Sequence, residues 1–276
     1  MIDKSLLKKR FNKAAATYDE YANVQKKMGD ALINLLQVNS KPISILEIGC
    51  GTGYVTEKLL RLFPQSTITA VDLAPEMIAM ARARLNSNRV TFICEDVEQL
   101  RLNTTYNLII SNATFQWLND VSQTLLRLHE VLRPGGNLLF TIFGEKTFYE
   151  LHTVYEQACQ GITNKRMGQR FFTKSALKEL CDAYDHLCIS EAYYVEHFPT
   201  VYEFFHSVRK VGATNSNTGS YMQSPSLFRQ VIALYEKQFG DYGYIPATYH
   251  TFICSMKKGE KKNGNRNKNK LEATRA

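Results

Sequence analysis

The segment ISILEIGCGTGY, at residues 43–54, constrains the fold of this chain more than any other. Its apolar first half, residues 43–48, predicts a buried strand, and residues 55–63 have the pattern of a helix. Between them lie Gly49, Gly51 and Gly53. Because glycine has no Cβ, a ligand can approach the bare backbone of such a turn. The segment therefore predicts an α/β fold with a nucleotide-like cofactor bound at the turn.

Strand and helix patterns alternate after this turn. Further strands are expected at residues 67–71, 90–94, 106–111 and 137–143, and helices at residues 75–85 and 121–132. The sequence Arg-Pro-Gly-Gly at 133–136 is expected to form a turn before the fifth strand. Such alternation implies right-handed βαβ units, a parallel sheet and helices on both of its faces.

Helical segments flank the alternating region on both sides. Residues 1–40 are expected to form a helical lid, or a helix pair that covers one sheet edge, and residues 41–145 form the cofactor-binding core. Residues 146–256 are interpreted as a substrate-recognition insertion with closing strands near 188–196 and 247–256. Residues 212–224 form a polar loop, and residues 257–276 are expected to be a disordered basic tail.

The charge distribution argues against a nucleic-acid partner. The chain has a net charge of +8. Residues 257–276 contain eight Lys or Arg and two Glu, a net charge of +6. The remaining residues therefore carry +8 less +6, or +2, and the tail is interpreted as a solubilising segment. The six cysteines contain no CxxC pair, so we expect reduced thiols and no metal site. We expect a cytoplasmic protein with no signal peptide and no membrane span.

Polar side chains occur at the ends of successive strands. Glu47 precedes the glycine turn, and Asp72, Asp96 and Asn112 follow the second, third and fourth strands. Ligands of open α/β sheets bind at the carboxyl ends of the strands, where Asp72 suits a ribose diol and Asp96 an adenine amino group. The G-x-G-x-G spacing differs from the G-x-G-x-x-G of dinucleotide-binding enzymes, which disfavours a nicotinamide oxidoreductase.

Three segments carry a resemblance to a known family. The sequences LEIGCGTG at 46–53, AVDLAPEM at 70–77 and LRPGG at 132–136 resemble class I S-adenosylmethionine-dependent methyltransferases. The resemblance implies a Rossmann-like seven-stranded mixed sheet with a reversed last hairpin, and S-adenosyl-L-methionine as cofactor. It implies cofactor contacts from Tyr18, Gln25, Glu47, Gly49, Gly51, Gly53, Asp72, Leu73, Met77, Asp96, Val97 and Asn112.

Three further segments narrow this resemblance. The region 10–25, ISNATFQWL at 110–118 and SVRKVGATN at 207–215 are similar to the malonyl-[acyl-carrier protein] O-methyltransferases of biotin synthesis. This similarity implies methylation of the free carboxylate of a malonyl thioester, with an acyl carrier protein as partner. It also implies substrate contacts from Tyr18, Phe115, Trp117, Arg170, Arg209 and Lys210.

The implied chemistry needs no catalytic side chain. A carboxylate is ionised at neutral pH, so the enzyme has only to align the reactants and exclude water. Alternative functions are those of a quinone C-methyltransferase, a non-catalytic protein that binds the same cofactor, and a nucleic-acid methyltransferase. The last is disfavoured because Asn112 is followed by Ala113 and Thr114 and not by Pro-Pro-aromatic.

Overall fold

A seven-stranded mixed sheet forms the centre of the computed structural model, which describes residues 1–37, 41–159, 171–182, 184–213 and 225–259. The strand order is β3-β2-β1-β4-β5-β7-β6. The strands are β1 Ser44–Ile48, β2 Thr67–Asp72, β3 Val90–Cys94, β4 Tyr106–Ser111, β5 Leu132–Phe143, β6 Asp185–Phe198 and β7 Ile245–Lys257. The first five strands are parallel, and β7 lies antiparallel between β5 and β6. The predicted mixed sheet with a reversed last hairpin is confirmed.

The carboxyl end of β1 is the point where the strand order reverses. Ile48, the last residue of β1, pairs with Val71 of β2 on one side and with Ser111 of β4 on the other. Chain connections leave β1 and β4 toward opposite faces of the sheet, which opens a crevice at this point. The glycine turn follows Ile48 directly, so the fold places it at the edge of that crevice.

Helices cover both faces of the sheet. They are α1 Lys4–Ala14, α2 Tyr18–Tyr21, α3 Asn23–Asn34, α4 Tyr54–Leu62, α5 Pro75–Leu85, α6 Val121–Val131, α7 Tyr149–Ala158, α8 Lys174–Leu180, α9 Val201–Lys210 and α10 Pro225–Phe239. In β1, Ile45 packs with α3 and α4 on one face and Leu46 with α6 and α8 on the other. Both side chains are fully buried, as the period of two along a strand requires when both faces are covered.

The insertion after β5 has a core of its own. Val154 of α7, Phe204 of α9 and Tyr235 of α10 are buried together against Ala247 of β7. This cluster fixes α9 beside the lid helices. The predicted loop 212–224 lies outside the described residues from 214 onward.

The predicted turn at 133–136 is wrong. The structure includes these residues in β5, because the backbone N–H of Gly135 donates to the carbonyl of Lys258 and Lys258 N–H donates to Gly136. The predicted tail starts at residue 257, which the structure places in β7. The ammonium of Lys258 also donates to the carbonyls of His129 and Glu130, and residues 260–276 lie outside the described residues.

Across the described part of the chain, no helix combines the length and the apolar character that crossing a bilayer requires.

Candidate active site

The glycine turn brings bare backbone to the end of β1. The backbone N–H groups of Gly49 and Cys50 both donate to the carbonyl of Val71, which fixes the turn against β2. A Cβ on Gly49 would lie 1.9 Å from the Oγ1 of Thr114, whereas a Cβ on Gly51 would meet nothing within 4 Å. The backbone of Gly51 therefore faces open space that a ligand can fill.

Gly53 has a packing role at the start of α4. It begins α4 with a left-handed φ of 85°, and a Cβ there would lie 3.2 Å from the Cβ of Ala81 in α5. Gly53 is not among the residues that line the two cavities described below. It allows α4 and α5 to approach each other closely, and its predicted cofactor contact stays a prediction.

A first cavity lies between the glycine turn, the ends of β2, β3 and β4, and helix α1. It encloses roughly 660 Å³, solvent at its mouth included. The predicted residues that line it are Tyr18, Gly49, Gly51, Asp72, Leu73, Met77, Asp96, Val97, Asn112 and Trp117. Helix α1 adds Lys4, Leu7 and Phe11, which sequence reasoning did not assign to the site.

A second cavity lies on the other side of the turn, under α2 and α3. The predicted residues that line it are Tyr18, Gln25, Glu47, Gly49, Gly51 and Asn112, and Lys26 and Thr52 line it as well. Four residues, Tyr18, Gly49, Gly51 and Asn112, border both cavities. The two spaces therefore form one bipartite site that bends around the glycine turn.

Asp72 is held in one orientation at the end of β2. One carboxylate oxygen, Oδ2, accepts from the N–H of Gly51 at 2.9 Å, and the other, Oδ1, accepts from Ala74 N–H at 2.8 Å. Burial raises the pKa of Asp72, and these backbone hydrogen bonds oppose that rise. The carboxylate is therefore a fixed acceptor at the wall of the first cavity.

Asp96 is tied to the lid by an ion pair. The ammonium of Lys4 lies 3.3 Å from Asp96 Oδ2 and also pairs with Glu98. The N–H of Glu98 donates to Asp96 Oδ1 at 3.0 Å, which orients the carboxylate after β3. Helix α1 is thereby anchored across the first cavity.

Glu47 is a buried acid beside the second cavity. Only 2% of its surface is exposed, and its Oε2 accepts a hydrogen bond of 2.6 Å from the hydroxyl of Thr56. Burial, with a smaller contribution from the charge of Asp72, raises the pKa of Glu47 to about 8. Near pH 7 its carboxyl is mainly protonated, and a cation in the second cavity would favour its ionised form.

Asp19 fastens helix α2 to the core. Its Oδ1 accepts from the Thr52 hydroxyl at 2.7 Å, and its Oδ2 accepts from the Arg84 guanidinium of α5 at 2.5 Å. Arg84 also donates to the carbonyl of Thr52 at 3.0 Å. We call Asp19, Thr52 and Arg84 the Asp19 latch. It holds the neighbouring Tyr18 between the two cavities, where burial and the charges of Asp72 and Asp19 raise the pKa of the phenol.

Asn112 connects the lid to the end of β4. Its side-chain amide donates to the carbonyl of Gln25 in α3 at 2.9 Å, and its Oδ1 accepts from the hydroxyl of Thr141 at 2.7 Å. These two hydrogen bonds hold the amide group and the Oδ1 of Asn112 at the junction of the two cavities.

The aromatic residues predicted to contact substrate lie in different parts of the structure. Trp117 lines the first cavity and meets Phe11 edge-on, with ring centres 5.8 Å apart. Phe115, by contrast, is fully buried, with its ring 4.7 Å from that of Phe140, so its prediction as a substrate contact is corrected to a core position. A 3-10 turn at Phe115–Trp117 points the two aromatic rings in different directions.

The two described cations predicted to bind substrate lie outside both cavities. Arg209 is exposed on α9 and borders a surface groove with Tyr202 and Phe228. The Lys210 ammonium lies 5.9 Å from the ring centre of Tyr21 in the lid. Arg170 lies outside the described residues.

The sheet and its bipartite cavity are those of an α/β methyltransferase. A family model described as "Methyltransferase domain" matches residues 45–136. Two solved structures share the fold. A putative methyltransferase from Bacillus halodurans has a TM-score of 0.57 and 13% identity, covering 84% of this chain and 99% of its own. The Bacillus YcgJ protein has a TM-score of 0.58 and 14% identity, covering 85% and 99%.

Sequence relatives define the family more narrowly. The malonyl-[acyl-carrier protein] O-methyltransferase of Bacillus cytotoxicus is 50% identical over 99% of both chains. The Bacillus cereus enzyme of the same name is 52% identical over 95% of this chain and all of its own, and that of Acetivibrio thermocellus is 43% identical over 94% and 95%. The chain belongs to the malonyl-[acyl-carrier protein] O-methyltransferase family.

Proposed function

We propose that this chain transfers a methyl group from S-adenosyl-L-methionine to the free carboxylate of a malonyl thioester carried by an acyl carrier protein. The product is the methyl ester that serves as a precursor in biotin synthesis. The observation that carries the proposal is identity near 50% along the whole chain to relatives named for this activity.

The bipartite site fits the two halves of the cofactor. In this proposal the first cavity takes the nucleoside, with Asp72 as acceptor for ribose hydroxyls and Asp96 as acceptor for an adenine amino group. The second cavity has one buried acid, Glu47, and one cation, Lys26, which suit the ammonium and carboxylate of an amino acid. Gly51 leaves open space between them.

When bound, the cofactor supplies a methyl group on a positively charged sulfur. Tyr18, at the border of both cavities, covers the reacting centre and excludes water. Asn112 also borders both cavities, and its hydrogen bonds to Gln25 and Thr141 hold its side chain there. The acceptor carboxylate arrives ionised, so the work of these residues is alignment, and no proton has to be removed.

We propose Arg170 as the cation that orients the malonyl carboxylate. A guanidinium is suited to binding a carboxylate through two hydrogen bonds. Arg170 directly precedes Phe171, whose ring lies 5.8 Å from that of Phe143 at the carboxyl end of β5. Arg209, the other predicted arginine, faces solvent and is the weaker of the two.

The cytoplasm is the proposed compartment. The six cysteines of the chain are free thiols, as is usual in a reducing compartment.

The deciding experiment is methyl transfer from labelled S-adenosylmethionine to purified malonyl-acyl carrier protein. We expect label in an ester that mild base releases, and mass spectrometry should show the added methyl group on the malonyl thioester. Acetyl-acyl carrier protein, which has no free carboxylate, is the matched negative control. Transfer to a quinone in place of the malonyl thioester, or cofactor binding without any transfer, would overturn the proposal.

A further inference from the structure

The positive charge of the described chain is concentrated on helix α1. Residues 4–14 contain Lys4, Lys8, Lys9, Arg10 and Lys13 and no acid, which gives +5. The chain carries +8, and +6 of this belongs to residues 257–276, which leaves +2. Because α1 alone accounts for +5, the rest of the body carries −3. The basic helix is therefore a local feature of the surface.

Two faces of α1 have different roles. The inner face contributes Leu7 and Phe11 to the wall of the first cavity, and Lys4 reaches Asp96 and Glu98. The exposed positions of the helix are Ser5, Lys8, Lys9 and Lys13. We call these three lysines the α1 lysine face. The same helix thus presents apolar side chains to the site and ammonium groups to solvent.

The end of α9 lies beside this helix. A Cβ on Gly212, just after α9, would lie 3.0 Å from the ring of Phe11 and 3.2 Å from the carbonyl of Arg10. The hydroxyl of Thr17, at the start of α2, donates to the carbonyl of Lys210 at 3.2 Å. Lys210 therefore continues the basic surface of α1 across the outside of the lid.

We propose that the α1 lysine face, continued by Lys210, is the docking surface for the acidic body of the acyl carrier protein. The inference rests on the proposed function. A thioester on a flexible arm can react only when the carrier body sits near the site, and α1 lines the first cavity of that site. Charge complementarity identifies the occupant as an acidic protein, since opposite potentials steer association and fix its orientation.

The composition of the face favours a protein over a nucleic acid. Single-stranded nucleic acids are bound by cationic grooves with aromatic side chains on which bases stack. The exposed positions of α1 consist of one serine and three lysines, with no aromatic ring among them. The face offers charge without a stacking platform, which suits the carboxylates of a protein surface.

The test compares a carrier-bound substrate with a free one. The triple variant Lys8→Glu, Lys9→Glu, Lys13→Glu is assayed with malonyl-acyl carrier protein and with malonyl-pantetheine, which has neither a carrier body nor a phosphate. We expect its KM for malonyl-acyl carrier protein to rise at least about tenfold at low salt and its KM for malonyl-pantetheine to stay unchanged. Added salt should raise the KM of the unmodified protein for the carrier substrate and remove much of the difference.

Two controls make the result specific. The variant Lys174→Glu, Lys178→Glu, Lys237→Glu makes the same charge change at exposed positions of α8 and α10 and should leave both KM values unchanged. The variant Lys8→Arg, Lys9→Arg, Lys13→Arg keeps the charge and should retain the carrier KM. Thermal unfolding and cofactor affinity of the glutamate triple variant establish that α1 is intact.

Three outcomes would overturn the docking proposal. These are an unchanged carrier KM in the α1 triple variant, equal losses with both substrates, and loss of affinity for single-stranded RNA while the carrier KM is retained. If the unmodified protein methylates neither malonyl substrate, the proposed function itself fails. Failure of the proposed function can therefore be distinguished from failure of the docking proposal.

Discussion

Glu47 allows a quantitative test of the second cavity. Its pKa in the folded protein rises from its ordinary 4.5 to about 8 because the carboxyl is buried. Ionisation of an acid whose pKa is higher in the folded than in the unfolded protein destabilises the fold. The free-energy cost of ionised Glu47 therefore grows as pH rises from 4.5 to about 8. Above that pH the cost reaches about 5 kcal/mol, and at pH 7 it is about 3 kcal/mol. Substitution by Gln removes this cost and keeps an oxygen that can accept from Thr56.

Denaturant unfolding without cofactor measures the effect. The free energy of unfolding of Glu47→Gln, relative to the unmodified protein, should increase by several kcal/mol between pH 5 and pH 9. The control is Glu236→Gln, which removes an exposed acid from the last turn of α10. If the stability of Glu47→Gln ran parallel to that of the unmodified protein over this range, the burial argument for Glu47 would be refuted.

We expect the same acid to couple cofactor binding to proton release. A bound ammonium lowers the pKa of Glu47 below about 8, so binding releases a proton between pH 6 and pH 8 and affinity rises with pH there. Calorimetry in buffers of different ionisation enthalpy should detect this proton with the unmodified protein and not with Glu47→Gln. The amine of the ligand titrates in both experiments, so the difference between the two proteins isolates Glu47. Equal proton release from both proteins would place the cofactor ammonium elsewhere.

Five substitutions, with one control variant, test other parts of the site. Gly49→Ala should destabilise the fold by about 2 kcal/mol or more in denaturant unfolding, since its Cβ meets Thr114 at 1.9 Å, while Gly51→Ala should cost about 1 kcal/mol and mainly weaken cofactor binding. Similar stability losses in both variants would contradict this. Arg84→Ala should raise the KM for cofactor about tenfold by releasing the Asp19 latch, with Arg61→Ala, an exposed ion-pair residue of α4, as control. An unchanged KM would show that the latch does not position Tyr18. Arg170→Ala should raise the KM for malonyl-pantetheine and leave cofactor affinity intact, whereas Arg209→Ala should change neither, and the reverse pattern would assign the carboxylate to Arg209.

The sheet was predictable because its signals are local. The apolar run, the glycine turn and the helix that follows are adjacent in sequence, so residues 43–63 fold as predicted to within one residue at each boundary. The turn predicted at 133–136 was wrong because its partner is remote. The backbone around Lys258 pairs with Gly135 and Gly136, and this pairing overrides the local turn preference of Pro-Gly-Gly.

The site was predictable to the extent that it follows from the sheet. Parallel strands end at one edge, so Asp72, Asp96 and Asn112 had to gather there, and all three line the first cavity. The ion pairs of Lys4 with Asp96 and of Arg84 with Asp19 join residues 92 and 65 positions apart. No periodicity or motif encodes such a pairing, and the tertiary structure is needed to see it.

The contacts of the lid are harder to derive from the sequence than the residues at the strand ends. The cofactor side is built on strand ends, whose positions the sheet dictates. The lid is built on α1, α2 and α3, which reach the core through Lys4, the Asp19 latch and the bond of Gln25 to Asn112. Each of these contacts depends on one polar side chain that meets a partner far away in sequence. The attachment of the lid to the core therefore rests on individual long-range contacts, while the candidate cofactor residues at the strand ends rest on the topology of the sheet.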